Sequence, residues 1–503
     1  MDKYIEKILS ARVYDVAIES PLEDAPALSR RLDNRVLLKR EDLQQIFSFK
    51  LRGAYNKIWR LSRERPIKGV VASSAGNHAQ GVALAGRRLG LEAVIVMPRT
   101  TPAIKVNAVR ALGGEAILHG DAYDEAYARA REIEEARGYP FIHPYDDPDT
   151  IAGQGTIGME LCRQFGDEVH AVFVPIGGGG LIAGIAAFMK YLRPETKIIG
   201  VEPEDAASMH TSLQRGRRIE LDHVGIFADG VAVKQPGRET FRLVRKYVDD
   251  IVLVNTDEIC AAIKDIFDDT RTLTEPAGAL GVAGMKKYLE TTPITGENLL
   301  PIVCGANINF DRLRHVAERA ELGEHREVLF AATIPERPGS FRKFCAALGR
   351  RSVTEFNYRY CNSDEAHVFV GVQTQGGVDE REQIFAELRE QGYAVLDLSD
   401  NEMAKLHIRH LVGGHGNGLA DERLFRFEFP ERPGALQNFL DRMGRGWNIS
   451  LFHYRNHGAA YGRVLAGMQV PASDDKELRR FLADLGYNWC EESSNPAYRL
   501  FLA

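Results

Sequence analysis

The sequence contains little that would tie it to an oxidising compartment, a metal ion or a highly charged partner. Its six cysteines among 503 residues form no C-x-x-C pair and lack zinc-site spacing. We therefore expect reduced thiols and no metal site. The net charge of -6 is small for this length, so electrostatics give no reason to expect binding to nucleic acid or to an anionic membrane.

Long apolar runs are absent as well. No stretch of about 18 apolar residues occurs, so we expect no membrane span. The first ten residues, MDKYIEKILS, are charged and have no apolar signal core, and they are too acidic for a transit peptide. A cytoplasmic protein is the expectation. Hydrophobic residues make up 44% and charged residues 27% of the chain, which is ordinary for a globular protein, and the length predicts more than one domain.

From residue 35 to residue 320, short apolar runs alternate with longer helical patterns. The runs RVLLK, KGVVAS, EAVIVMP, HAVFVPI, KIIGVEP and NLLPIVC have the character of strands. Apolar strands that alternate with helices predict parallel sheets covered on both faces. Ligands of such folds bind beyond the carboxyl ends of strands, so we expect the site in the loops after VVAS, FVPI and LPIVC.

An internal repeat begins near residue 325. LFAATIPERPGSFRKFCAALG, from Leu329, matches LFRFEFPERPGALQNFLDRMG, from Leu424. TEFNYR, from Thr354, matches SLFHYR, from Ser450. Two such matches predict a duplicated module with the order strand, helix, strand, strand, helix, strand. We predict that the charged segment Ala320–Glu327 is the linker before it.

A glycine loop is the strongest local signal. Gly177, Gly178, Gly179 and Gly180 follow an apolar run and open a helix near Leu181. Glycines let backbone N–H groups approach a ligand, and the helix N-terminus adds partial positive charge. The loop therefore predicts a phosphate site. Because no G-K-[ST] follows, it is not a nucleoside-triphosphate loop.

The identity of the phosphate ligand is open at this point. Gly178-x-Gly180-x-x-Ala183 fits a loose dinucleotide fingerprint, and Glu202 ends the next strand, where a ribose-binding acid would lie. That interpretation leaves Lys50 unexplained. Lys50 stands between two large apolar residues in SFKLRGA, and a placed amine together with a phosphate site indicates pyridoxal phosphate.

Four motifs carry a family resemblance. SFKLRGA, SSAGNHAQG, GGGGLIAG and CGAN, in this order and spacing, resemble those of fold-type II pyridoxal-phosphate enzymes, and most closely the threonine deaminases. The C-terminal repeat resembles the pair of ACT-like regulatory modules in isoleucine-controlled members. The resemblance implies an α/β catalytic domain of two parallel-sheet subdomains, similar to tryptophan synthase β, at residues 1–325. It implies α+β regulatory modules at residues 326–410 and 420–503.

The resemblance also implies roles for individual residues. Lys50 matches the lysine that forms the Schiff base, and Asn77 matches the asparagine that contacts the phenolic oxygen of the cofactor ring. Gly177–Gly180 and the amide of Leu181 match the phosphate cradle. Cys304 stands where the family places a small hydroxyl or thiol residue beside the pyridine nitrogen.

The resemblance places the substrate carboxylate at the loop before the asparagine. Ser73, Ser74, Ala75 and Gly76 form that loop. Ala75 replaces the serine that racemases of this fold use as a second acid/base group, so we do not expect racemisation. Glu275, in TEPAGA, is a further candidate for the pocket.

The activity implied is deamination of L-threonine to 2-oxobutanoate and ammonia, the first step of isoleucine biosynthesis, with L-serine as a second substrate. The resemblance also implies inhibition by isoleucine, valine as a candidate opposing effector, and a homotetramer. Tyr358 and Tyr454, in the matched segments of the repeat, are candidate effector-binding residues. Alternatively, these two tyrosines only pack on a face of their sheets.

Three other interpretations stay open. The first is an unregulated serine/threonine dehydratase whose repeat serves assembly. The second is a nucleotide-dependent oxidoreductase, and the third is an amino-acid sensor with an inactive catalytic domain. The intact Lys50 argues against the sensor.

Overall fold

The structure is a computed structural model and describes residues 3–335, 343–344, 347–349, 351, 353–358, 365–375, 377–410, 421–430, 439, 442, 447–455 and 461–502. It forms two compact units, Met1–Ala320 and Glu321–Ala503. We call these the catalytic unit and the C-terminal unit. Within the ranges just given, no helix is both long and apolar enough to cross a membrane.

The helices of the catalytic unit alternate with its strands. They are α1 (Lys3–Leu9), α2 (Pro26–Leu32), α3 (Lys50–Glu64), α4 (Asn77–Leu89), α5 (Ala103–Ala111), α6 (Tyr123–Arg137), α7 (Pro148–Gln164), α8 (Gly180–Leu192), α9 (Ser208–Gln214), α10 (Arg238–Tyr247), α11 (Thr256–Thr270), α12 (Pro276–Thr291) and α13 (Arg312–Gly323). The strands are β1 (Leu22–Asp24), β2 (Arg35–Arg40), β3 (Gly69–Ser73), β4 (Glu92–Met97), β5 (Glu115–Leu118), β6 (Ala171–Pro175), β7 (Lys197–Pro203), β8 (Asp250–Val254) and β9 (Asn298–Val303).

The larger sheet has the order β1-β2-β9-β6-β7-β8. From β2 to β8 the neighbouring strands are parallel, and β1 pairs antiparallel with β2 at the edge. All five residues of β6 are buried, because helices cover both faces of the sheet. One core cluster contains Phe173 and the other contains Val174, so successive residues of β6 serve opposite faces.

The smaller sheet has the parallel order β3-β4-β5. Its core includes Val70, Val82 and Ile95, from β3, α4 and β4. The predicted architecture of two parallel-sheet subdomains is therefore confirmed. Within the predicted boundary segment Ala320–Glu327, Ala320 to Gly323 form the last turn of α13, and β10 starts at Glu327.

The C-terminal unit contains two copies of one α+β module. The described elements of the first are β10 (Glu327–Pro335), β11 (Val353–Tyr358), β12 (Glu365–Gln373), α14 (Gly377–Glu390), β13 (Ala394–Asp397) and α15 (Glu402–Leu406). Those of the second are β14 (Glu422–Pro430), β15 (Asn448–Arg455), β16 (Tyr461–Gln469), α16 (Asp475–Leu485), β17 (Asn488–Glu491) and α17 (Pro496–Phe501).

The two modules repeat the same sheet. The strand orders are β11-β12-β10-β13 and β15-β16-β14-β17, both antiparallel, which confirms the predicted duplication. A shared core joins them, and Phe369 of the first module meets Phe501 of the second edge to face at 5.9 Å. Tyr358 and Tyr454 lie in equivalent strands. Their side chains lie outside the described residues, so their role in effector binding stays a prediction.

Candidate active site

Lys50 is the first residue of α3. The residue before it, Phe49, lies next to the end of β9, since its N–H donates to the carbonyl of Cys304 at 3.2 Å. The Lys50 ammonium donates to the carbonyl of Pro144 at 3.2 Å and lies 5.1 Å from the ring centroid of Phe49. Phe49 and Leu51 are both buried. The Phe49 ring lies beside the amine, whereas Leu51 packs in a separate core cluster with Ile46 and Leu84.

The surroundings make Lys50 reactive. Burial lowers the pKa of Lys50 to about 8, although the negative charge of Glu275 opposes the shift. An ordinary lysine has a pKa near 10.4, so this amine is neutral far more often at working pH. A neutral amine is both a nucleophile toward a carbonyl and a base.

Asn77 is the first residue of α4, and Gly76 occupies the cap position without a side-chain bond. Asn77 is therefore not the N-cap of α4. Its Nδ2 donates to Glu275 Oε1 at 2.5 Å, and its Oδ1 accepts from Asn307 Nδ2 at 2.6 Å. These two bonds fix the orientation of the amide.

Glu275 precedes α12 and is buried beside the amide of Asn77. Burial, reinforced by the charge of Asp229, raises the pKa of Glu275 to about 7. The carboxyl group thus changes its charge near neutral pH, within electrostatic range of Lys50. A strongly shifted acid beside a shifted amine is typical of a catalytic site.

The glycine loop connects β6 to α8 and is packed too closely for side chains. Gly179 has a φ of 92°. A Cβ on Gly178 would lie 2.3 Å from Tyr145 Cγ. The hydroxyl of Thr240 donates to the carbonyl of Gly178 at 2.6 Å, which holds the loop from the other side. The first N–H groups of α8 have no partner within the helix, and a helix N-terminus of this kind is suited to an anion.

The structure excludes a dinucleotide site built on Glu202. This carboxylate is buried and accepts hydrogen bonds from the N–H groups of Met209 and His210, at 2.9 and 2.8 Å. It therefore holds the first turn of α9 and has no exposed oxygen for a ribose. The hypothesis of a nucleotide-dependent oxidoreductase therefore has no ribose-binding acid at Glu202.

The predicted carboxylate loop follows β3, and two of its N–H groups are already engaged. Ser74 N–H donates to the carbonyl of Val96 at 3.2 Å, and Gly76 N–H donates to Ser74 Oγ at 3.3 Å. Ser73 ends the strand and is buried. Ala75 brings no acid/base group to the loop. The local structure thus orients the loop before any substrate binds.

Cys304 follows β9 and is buried. Its Sγ donates to the carbonyl of Ala277 at 3.3 Å. Burial raises the pKa of the Cys304 thiol well above its usual value, so the group stays neutral. A neutral thiol beside a pyridine nitrogen would not hold that nitrogen protonated.

The site fits pyridoxal phosphate. Ser48 Oγ, Ser73 Oγ and Thr274 Oγ1 are buried, and among the described residues they have no hydrogen-bond partner. They lie on three segments of the site: Ser48 pairs with Gly305, Ser73 ends β3 and Thr274 precedes Glu275. Buried polar groups without partners are rare in folded proteins. A bound polar ligand would supply the missing partners.

Sequence reasoning missed some residues of the site. Asn307 ends the CGAN motif but received no role, although it bonds to Asn77. Tyr145 and Thr240 hold the glycine loop, yet no local pattern marks them. Their roles depend on contacts between distant parts of the chain, which periodicity does not reveal.

Comparisons with known proteins match this geometry. A family model described as pyridoxal-phosphate dependent enzyme matches residues 13–305. A second, described as the C-terminal regulatory domain of threonine dehydratase, matches residues 318–408 and 413–502. The chain is similar to the processed form of threonine deaminase isoform 2 from Solanum lycopersicum, at 55% identity and a TM-score of 0.62, over 64% of this chain and 88% of that one.

Relatives match over the whole length. The biosynthetic L-threonine dehydratase of Burkholderia multivorans is 58% identical over 503 residues, which are 99% of each chain. The corresponding protein of Escherichia coli is 52% identical over 501 residues, which are 100% of this chain and 97% of that one. The chain belongs to the family of pyridoxal-phosphate-dependent threonine dehydratases that carry a C-terminal regulatory domain.

Proposed function

We propose that this chain deaminates L-threonine to 2-oxobutanoate and ammonia, as the first step of isoleucine biosynthesis, and that it also accepts L-serine. The observation that carries the proposal is the amine of Lys50, whose pKa burial lowers to about 8. This amine donates to the carbonyl of Pro144, and the next residue, Tyr145, packs against the glycine loop before α8. The whole-length similarity to threonine dehydratases supports the choice of substrate.

Pyridoxal phosphate, when bound, withdraws electron density from the α-carbon of the amino acid. Lys50 then takes the α-proton on Nζ, since its lowered pKa leaves the amine neutral for this task. The β-hydroxyl leaves as water, and the unsaturated amine that is released hydrolyses to the oxo acid and ammonia. One water is formed and one is consumed, so the net products are 2-oxobutanoate and ammonia.

Other residues bind and orient. We assign the phosphate to Gly177–Gly180 and the N–H of Leu181, and the phenolic oxygen of the ring to the amide of Asn77. The substrate carboxylate is assigned to the loop Ser73–Gly76. Since the N–H groups of Ser74 and Gly76 already have partners, the N–H of Ala75 is the main donor that we propose there.

Two features favour elimination over racemisation. Ala75 cannot carry a proton to the second face of the substrate. Cys304 is neutral because burial raises its pKa, so it does not keep the ring nitrogen protonated and does not favour a long-lived carbanion. Both features come from side chains and leave the shared fold unchanged.

The C-terminal unit regulates the activity of the catalytic unit. It matches the regulatory domain of threonine dehydratase, and we propose that isoleucine binds there and lowers activity, with modules at residues 326–410 and 420–503. Effector control needs different affinities for two enzyme states, a coupling of about 1–3 kcal/mol. Tyr358 and Tyr454 as effector residues, valine as opposing effector, a homotetramer and a cytoplasmic location stay predictions.

The test is an assay of the full-length protein loaded with pyridoxal phosphate. We expect 2-oxobutanoate from L-threonine, pyruvate from L-serine, and a lower rate when isoleucine is added. Lys50→Ala removes the reacting amine and should abolish both products, whereas Lys68→Ala, an exposed lysine of the smaller-sheet subdomain, should keep wild-type activity. Absence of 2-oxobutanoate from the loaded wild type would overturn the proposal.

A further inference from the structure

An ion pair joins the two sheet subdomains of the catalytic unit. Lys105 lies on α5, which follows β4 of the smaller sheet, and Asp229 lies in a turn of the larger-sheet subdomain. Lys105 Nζ is 2.6 Å from Asp229 Oδ2. Arg312 Nη1 is 3.4 Å from the other oxygen of Asp229 and donates to the carbonyl of Phe227 at 2.9 Å. The carboxylate is therefore held between two cations from different parts of the fold.

The turn that carries Asp229 touches both ends of the site. A Cβ on Gly177 would lie 3.0 Å from Val231 Cα, so the turn packs against the glycine loop. A Cβ on Gly230 would lie 3.8 Å from Glu275 Oε1. Displacement of Asp229 would therefore move backbone that contacts the phosphate cradle and the carboxyl group beside Asn77.

Lys105 belongs to the same smaller-sheet subdomain as the loop proposed for the substrate carboxylate. That loop, Ser73–Gly76, follows β3, and Lys105 follows β4, its parallel neighbour. A change in the position of Lys105 is therefore linked through the smaller sheet to the position of this loop. The ion pair links the half of the site that receives the substrate to the half that cradles phosphate.

The carboxyl group of Asp229 is ionised at neutral pH. Burial disfavours ionisation of Asp229, but Lys105 and Arg312 outweigh that effect and hold the pKa of its carboxyl well below the usual value. The side chains of Lys105 and Asp229 are 19% and 35% exposed, so water screens the pair in part. Arg312, whose side chain is only 8% exposed, adds a second cation beside the same carboxylate.

We propose that Lys105 is a positioning residue for the dehydratase reaction, because its ion pair with Asp229 holds the smaller-sheet subdomain against the larger one and so presents the substrate to Lys50. The proposal rests on the proposed function. Lys105 does not touch the reacting atoms. Its loss lowers the fraction of enzyme in the binding-competent arrangement, and the apparent affinity for substrate falls by that same fraction.

The kinetic test uses the full-length enzyme loaded with pyridoxal phosphate. Lys105→Met should raise KM for threonine about tenfold and change kcat less than about threefold, since the loss falls on binding. Asp229→Asn should do the same, and the double variant should be no worse than the worse single variant, because both remove one interaction. Lys105→Arg keeps the charge and should restore most of the affinity. Arg110→Met, an exposed cation on the same helix, is the matched control and should match wild type.

A second readout does not depend on turnover. Hydrogen exchange in peptides of β3, β4 and β5 should be faster in the Lys105→Met enzyme than in the Arg110→Met enzyme, with no substrate present. If wild type forms no 2-oxobutanoate, the proposed function fails while this readout still tests the tether. If wild type is active, and both Lys105→Met and Asp229→Asn keep the KM and exchange rates of Arg110→Met, the positioning role is overturned.

Discussion

Asn77 Nδ2 and Glu275 Oε1 are 2.5 Å apart, although 198 positions separate the two residues in the sequence. The bond joins α4, beside the smaller sheet, to the start of α12, beside the larger one. It places a carboxyl group with a pKa of about 7 within electrostatic range of Lys50. Glu275 therefore sets both the orientation of Asn77 and part of the charge around the reacting amine.

The first prediction concerns Glu275→Gln and the pKa of Lys50. In the cofactor-free protein, only the neutral amine attacks the aldehyde, so uptake of pyridoxal phosphate should rise with pH through about 8, the pKa of Lys50. Glu275 is mostly ionised at that pH, and its negative charge raises the pKa of Lys50. Removing the charge should therefore move the midpoint of uptake to lower pH. Borohydride trapping and mass spectrometry give the rate at each pH.

Glu290→Gln is the control for that experiment. Glu290 lies on α12 but is exposed, so its replacement should leave the midpoint unchanged. A midpoint near 10, the ordinary value for lysine, in the wild type would contradict the lowered pKa. A midpoint that stays fixed in Glu275→Gln would contradict the electrostatic link.

The second prediction concerns the glycine loop. Gly179→Ala puts a Cβ at a φ of 92°, 2.9 Å from Thr240 Cβ, and so distorts the loop that we propose as the phosphate cradle. We expect the Kd for pyridoxal phosphate to rise about tenfold or more, which is about 1.4 kcal/mol. Titration of the cofactor-free protein, followed by absorbance, measures this Kd.

Gly216→Ala separates backbone strain from loss of the site. Gly216 has a φ of 66°, and nothing lies within 4 Å of a Cβ placed there. The variant should lose about 1 kcal/mol of stability from the left-handed conformation alone and should bind the cofactor like wild type. Equal Kd values for the two variants would mean that the loop is not the cradle.

Local sequence patterns predicted part of the candidate site, and contacts between distant parts of the chain determine the rest. The glycine loop and Lys50 were predictable because each motif sits at a strand end or a helix start. The partners of Asn77 were not, because α4 and α12 are brought together only by the packing of two sheets. In the same way, Glu202 had the right sequence position for a ribose-binding acid, but its oxygens bond to the first turn of α9.

Arg52, two residues after Lys50, shows the same limit. Nothing in SFKLRGA marks Arg52 as a core residue, yet its side chain is fully buried between Glu41 and Glu160. Its Nη2 lies 2.8 Å from Glu41 Oε1, and its Nη1 lies 2.6 Å from Glu160 Oε1. No spacing in the sequence links these residues, since Glu160 comes from α7.

The third prediction is that Arg52→Met strongly destabilises the protein. The variant leaves two buried carboxylates short of a cation, which typically costs about 3–5 kcal/mol. Burial raises the pKa of Glu41, and Arg52 reverses that shift, so in the variant the folded-state pKa is raised. A carboxyl group with a raised folded-state pKa favours the folded protein at low pH, and this contribution is lost as pH rises. The loss of unfolding free energy in Arg52→Met, relative to wild type, should therefore be larger near about pH 8 than near about pH 5.

Urea unfolding at the two pH values tests the third prediction. Arg63→Met removes a cation from an exposed position of the same helix and should change the free energy of unfolding by less than about 0.5 kcal/mol. A deficit in Arg52→Met that is small, or that is equal at both pH values, would contradict the role of the buried cluster.

The fourth prediction separates catalysis from control. A chain that ends at Glu324 keeps α13 complete and retains the core clusters of the catalytic unit, whose residues end at Ala320. It should therefore form 2-oxobutanoate from threonine, and isoleucine should no longer slow it, because both regulatory modules are gone. The measurement compares initial rates of the two chains, each loaded with pyridoxal phosphate, over a series of isoleucine concentrations. A full-length Lys68→Ala protein run in parallel should keep its isoleucine response, which shows that the assay detects inhibition when the modules are present. Isoleucine inhibition that is unchanged in the shortened chain would place the effector site in the catalytic unit, and would remove the regulatory role proposed for the repeat.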